Sequence, residues 1–213
     1  MTKHYFFQPK KSIGIWLLTT AIMVFAMAVI GAITRLTESG LSIVDWRPIT
    51  GIFPPMSPEA WAAELEKYRN TPEYQQINKG MSIADFQTIY WWEYIHRLWG
   101  RLIGLVYGLP LIYFWVKGEL SPWLKPHLIV LLILGGLQGY IGWWMVQSGL
   151  VDRVDVSQYR LATHLTLAFF IFAYLLTLSF KLLMSAPPFG NSVRFQPILY
   201  LILILVFATM IMG

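Results

Sequence analysis

Four apolar windows, at about residues 13–33, 88–116, 126–146 and 158–184, are each long enough to cross a bilayer, and a fifth at 196–213 is interrupted by the chain end. The second window breaks its own pattern, because Glu93, His96, Arg97, Gly100, Arg101, Gly104 and Gly108 fall at i, i+3, i+4, i+7, i+8, i+11 and i+15. That spacing predicts one polar, small-residue face, while Tyr94, Ile95, Leu98, Trp99, Leu102, Ile103, Leu105 and Val106 cover the remainder. Charged side chains at bilayer depth cost at least roughly 2.5–3.5 kcal/mol each, so Glu, His and Arg inside a span are functional candidates. The glycines among them clear room for a neighbouring helix or a flat ligand. The third window puts Gly135, Gln138, Gly139 and Gly142 on one stripe, which predicts close helix packing with Gln138 as an interhelical hydrogen-bond partner. The fourth places Arg160, His164 and Ala168 at i, i+4 and i+8.

The second and fourth windows enter from the same side. At ~1.5 Å rise per residue His96 lies ~12 Å from residue 88 and His164 ~9 Å from residue 158, nearly one level. A lone intramembrane histidine is more often a hydrogen-bonded packing residue. A facing pair in a four-helix membrane bundle is what a bis-imidazole haem site requires, because the macrocycle leaves the iron only two axial positions. Arg97 and Arg101 then read either as a structural network with Glu93 or as holders of haem propionates, and Arg35 and Arg160 as propionate partners or as side chains snorkelling to headgroups. Glu93 is not explained by haem binding: one turn before His96, it stands beside the porphyrin edge, where it could take up a proton or position a water.

Composition agrees with the spans: 56% hydrophobic, 13% charged, mean hydropathy +0.55, no cysteine. Disulfides and thiolate ligands are excluded, so a metal must be met by His, carboxylate or Met. The net charge of +5 reports topology rather than nucleic acid. Lys3, Lys10, Lys11, Lys117, Lys125, His127, Lys181 and Arg194 flank one set of span ends, which the positive-inside rule makes cytoplasmic, or matrix-side in a mitochondrion. The acidic connections 34–87 and 147–157 face outward, with Trp91, Trp92, Trp143 and Trp144 at the outer interface and Trp16, Trp115 and Trp123 at the inner. The chain divides into a cytoplasmic N-terminus (1–12), an all-α four-helix transmembrane bundle (13–184) with outer loop 34–87, and a connection leading into a fifth helix (185–213). In the loop, Ser57-Pro58-Glu59 opens a helix-compatible run through Tyr68, Asn78-Lys79-Gly80 reads as a turn, and Ser82-x-x-Asp85 caps the next span. So long a loop suits a lid or a docking surface.

Three segments, RLTESGLSIVDWRPITGIFPP (35–55), KYRNTPEYQQINKGMSIADF (67–86) and WEYIHRLWGRLIGL (92–105), agree in order and spacing with the haem A synthase family, in its proteobacterial and mitochondrial branch. The resemblance runs from about residue 10 to the chain end. It implies one half of an eight-helix pseudo-repeat, in a bacterial inner membrane or a mitochondrial one. It also implies conversion of haem O to haem A for terminal oxidases by two hydroxylations of the C8 methyl, whose gem-diol dehydrates to the formyl group, with water as oxygen source. Residue by residue, His96 and His164 match the histidine pair of the family's substrate-haem half and Glu93 its carboxylate. The second pair, which holds haem b, belongs to a C-terminal half absent from this sequence. FATMIMG (207–213) echoes FAMAVIG (25–31), as the start of a repeated bundle should, so the chain reads as a truncated product. Implied partners are haem O, haem O synthase and a membrane electron donor or acceptor, with a homo-oligomer left open. Three rivals stand beside this reading: a membrane cytochrome b subunit, a haem-delivery chaperone, and a bundle without cofactor, for which Arg101 near mid-membrane is hard to account for.

Overall fold

A computed structural model describes residues 11–47, 50–151, 153–184, 204–206 and 208–209, and their secondary structure is all helical. The elements are α1 (Lys11–Leu36), α2 (Pro58–Arg69), α3 (Pro72–Gln76), α4 (Ile83–Val116), α5 (Leu124–Leu150) and α6 (Gln158–Leu183). α1, α4, α5 and α6 are long and apolar enough to cross a membrane. The N-terminal segment up to Lys10 and most of the expected fifth span lie outside the described residues.

Local chemistry sets the helix starts. Ser57 Oγ accepts from Ala60 N at 3.2 Å with Pro58 in the first turn of α2. Ser82 Oγ accepts from Asp85 N at 3.2 Å, so α4 begins at Ile83, five residues before the expected start of the span. α3 is a single turn the apolar pattern did not predict, capped by Thr71 Oγ1, which accepts from Tyr74 N at 3.3 Å. Asn78 to Met81 turns as expected, with Met81 N donating to Asn78 O at 2.9 Å and Gly80 at φ +88°.

The chain forms two compact units, each taking part of every long helix. In the first, described at residues 11–25, 103–137 and 166–184, Leu17, Tyr107, Leu128 and Leu175 belong to one buried core drawn from all four helices. Pro110 inside α4 has no N–H for the carbonyl four residues earlier, and the indole of Trp16 donates to that carbonyl, Val106 O, at 2.8 Å. Lys125 lies over the Trp115 ring and Lys181 over Trp123, at 5.2 and 4.5 Å, so these cations and tryptophans share one end of the unit.

The second unit, residues 26–102 and 138–165, holds the long loop. Ile43, Leu65, Tyr68, Tyr74, Phe86, Ile89 and Tyr90 form its own core, and Tyr68 stacks on Phe86 at 5.4 Å. The first turns of α4 therefore stand in the loop cluster rather than in the span. The close packing expected along α5 is not found at Gly135 or Gly139, where an added Cβ would meet nothing within 4 Å. Both glycines lie on turns of α5 that are exposed. Gly142 does approach a neighbour, His164 of α6.

Candidate functional site

The expected polar face of α4 divides into two strips. Glu93, Arg97 and Arg101 turn to the loop, and His96 and Gly100 turn to α1. Both strips lie in the second unit.

Glu93 is 3% exposed, and each of its oxygens receives two donors. Oε2 accepts from Ser42 Oγ at 2.7 Å and from Ile43 N at 2.8 Å. Oε1 accepts from Arg97 Nε at 3.0 Å and Nη2 at 2.6 Å, an i,i+4 ion pair. Arg97 goes on to the loop backbone, donating from Nη1 to Asp45 O at 2.9 Å and from Nη2 to Ile43 O at 2.6 Å. Arg101 Nη2 donates to Arg47 O at 2.8 Å. Both arginines donate to loop carbonyls. A loop carbonyl also gives Arg101 a reason to exist at its depth without a cofactor. Arg97, Arg101, Asp45, Arg47, Tyr90 and Tyr94 line a cavity of about 320 Å³ that neither histidine borders.

His96 and His164 each lie against a glycine on a neighbouring helix. A Cβ at Gly31 of α1 would stand 3.3 Å from His96 Nε2, and one at Gly142 of α5 3.0 Å from His164 Cε1. A methyl group at either place would make the facing imidazole give by a few tenths of an ångström. Both histidines belong to the second unit. Counted from Ile83, His96 is ~20 Å along α4, against ~9 Å for His164 along α6. The early turns of α4 lie in the loop cluster, so both histidines still fall in the second unit.

Gln138 is the interhelical partner expected. Its Nε2 lies 3.2 and 3.3 Å from the two ring nitrogens of His164 and donates to the His164 carbonyl at 3.1 Å. Its Oε1 is buried with no hydrogen-bond partner among the described residues. Arg160 donates to Trp144 O at 2.7 Å and lies 4.4 Å over the Trp144 ring, while Arg35 is exposed on the last turn of α1.

Sequence reasoning missed Ser42 and Tyr94, whose roles exist only because the loop returns to α4. It also missed a buried carboxyl in the loop. Glu73, 5% exposed, accepts from Tyr68 Oη at 2.9 Å, and Asn78 Nδ2 donates to that same Oη at 2.7 Å. Burial pushes the Glu73 carboxyl up to about 7, against the Tyr68 hydrogen bond and with the help of negative charge at Glu93, Glu38 and Asp155.

Residues 14–213 match the family model COX15-CtaA, described as cytochrome oxidase assembly protein. A haem A synthase of Rhodospirillum centenum is 56% identical over 204 residues, 95% of this chain and 54% of that protein. Those of Parvibaculum lavamentivorans and Agrobacterium fabrum are each 54% identical, over 81% and 77% of this chain and 50% and 45% of theirs. The chain spans about half the length of the curated relatives it matches. No solved structure matches it.

Proposed function

The chain belongs to the COX15-CtaA family of cytochrome oxidase assembly proteins, and from that premise we propose that it holds the substrate haem of a haem A synthase, an oxidoreductase that converts haem O to haem A. The observation that carries this reading is the pair of imidazoles, His96 and His164, brought together in one unit and each given its place by a glycine. Two features support a bis-imidazole haem here: a Cβ at Gly31 or Gly142 would press on an imidazole, and Gln138 Oε1 is a buried acceptor still to be met.

His96 and His164 would hold the haem iron in this proposal, with Gln138 orienting the His164 ring. The haem iron would supply the redox chemistry when bound, with a haem b as its partner in this proposal. Glu93 is the catalytic group: four donors hold its carboxyl group in place, which suits it to steady positive charge developing at the C8 methyl carbon while water adds. Arg97 and Arg101 hold the loop against this group, which leaves the propionates to Arg35 and Arg160 at the loop-side helix ends. The membrane is the inner one, with the N-terminus on the cytoplasmic side.

Purification of the protein, followed by extraction and chromatography of its haem, tests the assignment. Haem O or haem A should be recovered, with a bis-imidazole spectrum lost in both His96→Ala and His164→Ala. A spectrum that survives either substitution rejects the ligand pair. Recovery of haem b alone favours an electron-transfer subunit.

A further inference from the structure

Four large apolar side chains stand out from irregular backbone between α1 and α2: Trp46 at 50% exposure, Ile52 at 44%, Phe53 at 82% and Met56 at 83%. A cluster of this kind marks contact with something other than water. What it contacts is decided by the level at which the segment is tethered.

Three contacts set that level. Tyr94 Oη donates to Ile52 O at 2.5 Å, Arg101 Nη2 donates to Arg47 O at 2.8 Å, and Trp46 packs on Trp143 with ring centroids 5.4 Å apart. α1 supplies the reference, because Thr34 Oγ1 lies 3.5 Å from Trp92 O and Gly31 faces His96, so the loop-side end of α1 is close to the level of Trp92. Tyr94 and Arg101 both lie on the span side of Trp92. Helical side chains lean toward the helix N-terminus, so the Tyr94 hydroxyl is carried back to about the level of Trp92 and the Arg101 guanidinium about one turn, to the level of Arg97. That is roughly 7 Å inside the level of Trp92. Trp143 gives the same answer independently, seven residues or roughly 10 Å inside the Leu150 end of α5.

The hydrogen bonding fits that depth. The carbonyls of Ile43, Asp45, Arg47 and Ile52 are received by Arg97, Arg101 and Tyr94 of α4. At a water surface solvent would meet those acceptors; at the acyl boundary protein donors must. The charged groups of the segment gather toward α2 instead, where Asp45 Oδ2 accepts from Arg47 Nη2 at 2.6 Å and from Lys67 Nζ at 3.0 Å. Arg47 stays 56% exposed beside Trp46 with its guanidinium paired to Asp45, so the outward face is mainly apolar with one neutralised charge at its edge.

We infer that this segment is a wedge seated in the bilayer, with Trp46, Ile52, Phe53 and Met56 buried at the headgroup and acyl boundary of the loop-side leaflet. Its partner is phospholipid, and roughly 5–10 Å of insertion is the range of interfacial segments. The long loop is therefore held by the membrane as well as by α4.

The absence of cysteine makes the test direct. Single variants Phe53→Cys and Met56→Cys of the full chain, nitroxide-labelled in phosphatidylcholine–phosphatidylglycerol vesicles, are compared for collision with oxygen and with a water-soluble nickel chelate. Leu109→Cys on the exposed face of α4 and Lys79→Cys in the loop turn serve as lipid and water references. Oxygen accessibility should exceed nickel severalfold at positions 53 and 56, as at 109, with the reverse at 79. Nickel in excess at 53 and 56 makes the segment aqueous, and low access to both probes makes it covered by protein. Either result overturns the inference.

Discussion

Glu93 accepts a hydrogen bond from the Ile43 amide at 2.8 Å, which joins the carboxylate one turn before His96 to a loop 50 residues away in sequence. A group expected from sequence to take up a proton or position a water is thus also the peg on which the loop hangs.

Glu93→Gln therefore has two consequences. The amide can accept on one side only and turns its own donors toward others, so a buried ion pair is broken at a cost of about 3–5 kcal/mol. Protease sensitivity of the loop should rise and haem conversion fall, with the haem spectrum retained. Ser42→Ala, which removes one of four donors, should cost only about 1 kcal/mol. Limited proteolysis beside haem chromatography separates the effects, and an intact loop in Glu93→Gln would limit Glu93 to chemistry.

The glycines that face the histidines should be intolerant of a methyl group. Gly142→Ala puts a carbon 3.0 Å from His164 Cε1, and Gly31→Ala puts one 3.3 Å from His96 Nε2. Both should perturb the electron paramagnetic resonance spectrum of the bound haem, Gly142→Ala more strongly. Gly135→Ala and Gly139→Ala, with nothing within 4 Å, should leave it unchanged.

Trp16→Phe should leave the Val106 carbonyl unmet, because Pro110 cannot serve it. The expected loss is about 1–3 kcal/mol, read from unfolding in detergent. Adding Pro110→Ala restores an N–H to that carbonyl, so the double variant should recover part of the loss.

The loop should weaken as pH rises. Glu73 has a folded value of about 7 against 4.5 for the free side chain. Between those values the folded state holds the proton that the unfolded state has lost. Stability is fully present below about 4.5 and is lost as pH rises through about 7, on the order of 3 kcal/mol in all. Glu73→Gln should flatten this dependence in thermal unfolding followed from pH 5 to 8.

The four spans, the starts of α2 and α4 and the pairing of Gln138 across helices were legible from the chain alone. Length and apolarity add up along one helix, and a cap is settled within three residues, so neither needs a distant partner. Family membership was legible for the same reason, since motif order is itself a property of the sequence. Which polar residues look at one another was not. Glu93 and His96 are three apart and differ by only about 60° around the helix, yet that turn delivers one to Ser42 and Ile43 and the other to Gly31 of α1. The division exists only because the loop folds back along α4, a contact between residues some 50 apart that no periodicity records.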